Sequence, residues 1–293
     1  MKEYAVCDIG SNTIVMIIYE ICNGKPVQKY YESDPVHLIS YVEDGIMSEE
    51  GIVKASAVLM RYRKTAEERG ITSCWACITE PCRVKNRDEL VAAFSESGFE
   101  IWPLSGSREA ALDFKGSRLS WPEISEGIAF DVGGGSTELI AFENGECTAA
   151  VSFPLGCVRL FRLPLDTPEC AAMIEKCRRE NPELAVSSDT LIGIGGTVRA
   201  AARLCTRLYG TGNIIPAVKF LDIFRKLQAG EEACMQAFLE TIDPARQPVF
   251  LSGIHMILEI IRIYRAKLIY VSETGIREGF LLETLEHTAD IEN

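Results

Sequence analysis

Two short stretches of the chain hold the residue types that phosphate chemistry calls for. In "VCDIGSNTIVMIIYEICNGK", Asp8 is followed by Gly10, Ser11, Asn12 and Thr13. In "FDVGGGSTELIAFENGE", Asp131 is followed by Gly133, Gly134, Gly135, Ser136 and Thr137. Glycines let the backbone turn sharply and approach a ligand, so that successive N–H groups converge on an anion, while a strand-end carboxylate can hold a cation that offsets phosphate charge. Each stretch reads as a phosphate cradle. A single loop of this kind is commonly just a turn; two equivalent loops on repeated units would face each other across one cleft by pseudo-symmetric packing, and clefts are where ligands bind.

The elements that must position these loops form an internal repeat. Each copy reads as a strand, a polar loop, a second strand, an Asn-Gly hairpin turn (Asn23-Gly24 and Asn144-Gly145) and a third strand. After the first copy, helices and strands alternate. A helix starts at the N-cap Ser48 and stops at Gly70; "ITSCWACIT" is a strand; a further helix is capped by Asn86 with Glu89 three residues on. The pattern predicts an α/β protein of two domains, 1–117 and 118–293, each a mixed sheet flanked by helices, with the last helix able to pack back on the first domain.

Composition narrows the function classes. The 293 residues carry a formal net charge of −12, which argues against a sequence-independent nucleic-acid binder, whose affinity comes from Lys and Arg on phosphates. No apolar run is long enough to span a bilayer and the N-terminus lacks a signal-peptide pattern, so no membrane association and a cytoplasmic location are expected. The eleven cysteines are odd in number and scattered, which reads as reduced, mostly buried thiols. Cys74-Trp-Ala-Cys77 with Cys82 has neither a second C-x-x-C nor a His pair to complete a metal site.

In order along the chain, "CDIGSNTIVMII", "CRVKNRDEL", "LSGSREAAL", "FDVGGGSTEL", "SFPLGCVRL", "GIGGTVRAAARL" and "VSETGIREGFLL" resemble the exopolyphosphatase and guanosine pentaphosphate phosphohydrolase family, within the actin, chaperone and sugar-kinase superfamily. The resemblance implies two actin-like (ribonuclease H-like) domains with the active site in the cleft between them, and Mg²⁺ as cofactor. It implies that Glu109 is the catalytic base and that Arg83 meets a non-bridging phosphate oxygen. Asp131 and Glu138 would hold Mg²⁺ and the attacking water, with Asp8 supporting the metal. Gly195, Gly196 and Thr197 would border the farther part of the phosphate chain, and Arg159 and Arg277 are further candidate contacts.

The chain departs from the family in places. Glu80-Pro81 replaces the usual small pair, and Ser107 and Arg108 replace acidic residues before Glu109. These changes bear on substrate preference more than on catalysis. Ending at residue 293, the chain is expected to lack the C-terminal helical domains of longer members. The expected substrate is inorganic polyphosphate, in short chains because few arginines can hold it; a homodimer would be one way to extend that track. Guanosine pentaphosphate is the alternative substrate, a non-catalytic polyphosphate or alarmone sensor the alternative class. A kinase would need an acceptor-activating aspartate that no stretch supplies.

Overall fold

The computed structural model describes residues 2–165 and 167–291. Long-range contacts divide the chain into two units, Met1–Glu109 with Ile276–Asn293, and Ala110–Gly275.

The first unit opens with the predicted meander of β1 (Glu3–Ile9), β2 (Ile14–Cys22) and β3 (Lys25–Asp34). Asn23 and Gly24 both take positive φ, 52° and 74°, the conformation that a tight Asn-Gly hairpin turn requires. A small hairpin of β4 (Val42–Glu43) and β5 (Ile46–Met47) follows, then α1 (Glu49–Glu68), β6 (Cys74–Ile78), α2 (Arg87–Ser95) and β7 (Glu100–Pro103). The strand order is β3-β2-β1-β6-β7, antiparallel through the meander and parallel from β1 to β7. Ser48 caps α1 as its sequence predicts, its side chain accepting from the Gly51 N–H. Asn86 does not cap α2 through its side chain. Its amide clasps Met47 instead, accepting from that residue's N–H and donating to its carbonyl, each at 2.9 Å, because a primary amide matches a backbone donor–acceptor pair. One face of the sheet is covered by Leu59 and Tyr62 of α1 and Phe94 of α2, packed with Cys7, Ile9, Met16 and Ile18.

Cys74 and Cys77 are three residues apart on β6, and side chains alternate along a strand, so the two thiols point to opposite faces of the sheet. The spacing that suggests a metal pair in a loop separates the sulfurs in a strand.

The division between the units falls inside α3 (Gly106–Ser117). In the second unit the meander recurs as β8 (Gly127–Val132), β9 (Thr137–Glu143) and β10 (Glu146–Phe153), again with positive φ at Asn144 and Gly145. Then come α4 (Cys157–Leu160), α5 (Glu169–Glu180), β11 (Thr190–Ile194), α6 (Gly195–Tyr209), β12 (Ile214–Pro216), α7 (Ala217–Gln228), α8 (Glu232–Thr241), α9 (Phe250–Tyr264) and β13 (Leu268–Val271). The order β10-β9-β8-β11-β13-β12 repeats that of the first sheet and adds an antiparallel edge strand. Helices α6 and α9 pack on one face through Val198, Leu204, Ile257 and Ile260, while Ala110 and Phe114 of α3 pack on the other against Ala129, Ile140, Ile192 and Ile194. Burying a side chain of this size contributes about 1.5–3 kcal/mol, so α3 is firmly seated on the second sheet. Last, α10 (Ile276–Ile291) belongs to the first unit. No helix among the described residues is long and apolar enough to cross a membrane. The expected α/β class, mixed sheets flanked by helices, is met in both units.

Candidate active site

In the first unit, the loop Gly10–Thr13 leaves the end of β1 and closes on itself through a Gly10 N–H to Thr13 carbonyl bond of 3.1 Å. The next segment fixes it from outside: the Ser11 carbonyl accepts from Ile39 N–H, the Asn12 carbonyl accepts from His37 N–H, and the Asn12 side chain contacts His37 Nδ1 at 2.6 Å. Beneath it, Ser11 Oγ donates to Glu80 at 2.7 Å, and both residues are buried. Glu80 therefore serves as a support for the loop. Arg83, a few residues on, donates to the carboxylate of Glu109, and their side chains are 27% and 12% exposed. Glu109 sits in the first turn of α3, where the helix dipole favours a negative charge. Arg108 is ion-paired with Glu283 of α10.

Asp8 lies 3.8 Å from the guanidinium of Arg277, and its strand neighbours in register are Val15 and Cys77. Burial alone would lower the pKa of Arg277, but the carboxylates of Asp8 and Glu278 together hold it raised. Glu278 also accepts a hydrogen bond from Tyr19. Burial, with Glu278 adding to it, keeps the Tyr19 hydroxyl protonated and thus a donor. Within this unit the fold pairs Asp8 with Arg277 and Arg83 with Glu109, and the charges of Asp8, Glu109 and Arg277 all act on the buried Cys77.

In the second unit, Asp131 and Glu138 are direct partners across β8 and β9, so their side chains share one face of the sheet. Glu138 is 1% exposed and its Oε1 accepts from Ser136 Oγ at 2.8 Å and Ser152 Oγ at 2.7 Å. A carboxylate oxygen of Asp113, from α3, comes within 4.8 Å of one of Glu138. Asp113 is only 2% exposed. Asp113 was not among the expected site residues. Its one sequence signal is a position four residues after Glu109, a spacing that also describes an ordinary solvent-facing helix stripe.

The motifs expected to bind phosphate support one another in this unit. Gly133 N–H donates to Ser136 carbonyl at 3.0 Å, and the first amides of α4 hold the loop from behind, Cys157 N–H on the Gly133 carbonyl and Val158 N–H on that of Gly134, each at 2.9 Å. A Cβ on Gly156 would lie 2.5 Å from the Gly133 oxygen, which explains the glycine of "PLGCVRL". Thr137 Oγ1 donates to Leu155 carbonyl at 2.7 Å and Thr197 Oγ1 to Val132 carbonyl at 2.6 Å, so both hydroxyls brace the ends of the loop. Gly195 turns at φ 82°, and a Cβ there would be 2.0 Å from Asp131 Oδ1. Gly196 lies under the guanidinium of Arg246, a residue not singled out from the sequence. Arg159 lies in α4, next to the residues that hold the loop.

Chemically, the second unit offers buried carboxylates of the kind that bind hard cations, beside a glycine loop. The first offers a carboxylate oriented by a guanidinium. The model of the Ppx/GppA phosphatase family matches residues 17–288. The chain belongs to the Ppx/GppA phosphatase family. Exopolyphosphatase 1 of Mycobacterium tuberculosis strain H37Rv is 26% identical, over 97% of this chain and 89% of that protein. A putative exopolyphosphatase of Haemophilus influenzae is 25% identical, over 99% and 94%. The crystal structure of an exopolyphosphatase from Cytophaga hutchinsonii matches with a TM-score of 0.81 at 23% identity, covering 98% of both chains, and an Aquifex aeolicus Ppx/GppA family member with 0.80 at 24%, again 98% of both. As a member of this phosphatase family the chain is a hydrolase, and it shares the fold of those structures along nearly all its length.

Proposed function

We propose that the chain hydrolyses the terminal phosphate from inorganic polyphosphate, preferring short chains and using Mg²⁺. Family membership supports the reaction class, and the Arg83–Glu109 pair carries the assignment of the base. Glu109 takes a proton from water, the water oxygen attacks the terminal phosphorus, the bridging P–O bond breaks, and orthophosphate leaves with the chain one unit shorter. Arg83 holds Glu109 in place and presents a guanidinium to a non-bridging oxygen. Backbone amides of the Gly10–Thr13 and Gly133–Thr137 loops position the phosphates, and Gly195, Gly196 and Thr197 border the farther part of the chain.

Asp113, Asp131 and Glu138 are the donors that fit a hard divalent cation, being buried or half-buried carboxylates, two of them with oxygens within 4.8 Å. Mg²⁺ held there would offset phosphate charge during the reaction. Asp8, whose own charge is partly offset by Arg277, is the supporting carboxylate.

The same chemistry on guanosine pentaphosphate is the second reading, since the matching family takes its name from both activities. Phosphate release from both substrates, with and without Mg²⁺, separates the two readings. Turnover of polyphosphate should exceed that of the pentaphosphate and fall at least ~100-fold in Glu109→Gln, the scale of a lost general base. A folded Glu109→Gln enzyme at full activity would overturn the base assignment. Saturable binding of either ligand without turnover would identify a sensor.

A further inference from the structure

The second unit contains a cavity of about 550 Å³ that none of the candidate active-site residues lines. One wall is the face of α6 that carries Arg199, Arg203 and Arg207, four residues apart and therefore stacked along the helix. Ala202 and Val271 supply apolar lining, and Asn213 and the carboxylate-bearing Glu273 also line the cavity.

The wall is built rather than accidental. Arg199 donates to the Glu273 carbonyl at 2.9 Å, and Asn213 Nδ2 donates to the Glu273 carboxylate at 2.8 Å, so two sides of the cavity are fixed. Arg207 pairs with Glu240 at 3.3 Å on an exposed side. Arg203 makes no hydrogen bond or ion pair among the described residues. Partial burial and the neighbouring Arg246 both lower its pKa, the mark of a cation whose charge is incompletely met. A stripe of three arginines on a chain of net charge −12 is a local field for an anion, and guanidinium forks suit phosphate.

We infer that this cavity is a separate binding site for an organic phosphate, a phosphate group carried on a small apolar or aromatic body. The phosphate meets Arg203 and Arg207 at the mouth, and the body lies on Ala202 and Val271. Inorganic phosphate lacks the part that the apolar lining would bury, so it is the weaker ligand. The inference does not depend on the reaction proposed above, because none of its residues takes part in that reaction.

Calorimetric titration with phenyl phosphate tests it. Binding with a Kd below ~1 mM is expected, at least ~10-fold tighter than inorganic phosphate. Arg203→Gln should weaken it ~10-fold or more while leaving polyphosphate hydrolysis unchanged, and Arg207→Gln provides a second variant at an exposed position. Binding should persist in Asp131→Asn, which separates this cavity from the glycine loop. Absence of binding at 10 mM, binding untouched in both arginine variants, or binding lost in Asp131→Asn would each overturn the assignment.

Discussion

Asp113 and Glu138 bring carboxylate oxygens within 4.8 Å of each other in the interior of the second unit, from a helix and a strand distant in sequence. Carboxylate oxygens this close together can serve jointly as ligands for a hard divalent cation. Asp113→Asn removes one charge and keeps the shape. The parent should gain stability on adding Mg²⁺, by about 2.7 kcal/mol at a hundred times its dissociation constant, and the variant should gain much less. Thermal unfolding with and without Mg²⁺ checks this, and equal Mg²⁺ stabilisation of both proteins would refute it.

Arg83 and Glu109 give a different prediction. A lysine at position 83 keeps the charge but loses the planar fork, so Arg83→Lys should retain the fold and lose about 10-fold or more in kcat/KM. Arg83→Gln should lose more. Steady-state kinetics at fixed salt make the comparison, and an unaltered kcat/KM in Arg83→Lys would mean that the arginine contributes charge alone.

Gly195 and Gly156 should both be intolerant of alanine, for different reasons. At Gly195 the strain is both conformational, φ 82°, and steric, with a Cβ 2.0 Å from Asp131 Oδ1. At Gly156 the backbone is ordinary, φ −103°, and only the clash with Gly133 and Gly134 remains. Gly195→Ala is expected to cost about 1–3 kcal/mol and to displace the Asp131 carboxylate. Gly156→Ala should shift the loop that its neighbours hold. Denaturant melts and activity assays report both effects, and a Gly195→Ala protein with unchanged stability and activity would contradict the geometry.

Buried thiols should make the protein sensitive to alkali. Burial pushes Cys170 and Cys205 up to about 12, from an ordinary value of 9.0, and raises Cys7 and Cys77 as well. For an acid whose folded pKa is raised, the unfolded chain loses its proton first, so stability is intact below the unfolded value and falls as pH climbs from about 9 toward 12. Each thiol contributes up to ~1.4 kcal/mol per pH unit in that window. Melting curves between pH 7.5 and 10.5 should show the decline, and Cys170→Ala should lessen its slope.

Much of the candidate site was legible in the sequence because it resides in local backbone chemistry. Asn-Gly turns, strand-end aspartates and glycine loops place their conformations within a few residues, and the two meanders fold as their repeat implies. The repeat even shows its own asymmetry: seven residues after Asp131 stands Glu138, and seven after Asp8 stands Val15, so the strand-end aspartate faces a second carboxylate in the second meander and a valine in the first.

What the sequence could not supply was every property set by contacts between distant segments. Asn86 has the residue type and position of a helix cap, yet its amide found a better-matched backbone pair at Met47. Glu80 read as a departure that bears on substrate preference, and the fold buries it beneath Ser11 as a hydrogen-bond acceptor. Asp113 has the spacing of a surface residue, and only the packing of Ala110 and Phe114 onto the second sheet carries it inside toward Glu138. Conformation that depends on neighbours along the chain is encoded by residue type and order. Burial and charge pairing depend on which surfaces meet, and that was decided by the tertiary structure.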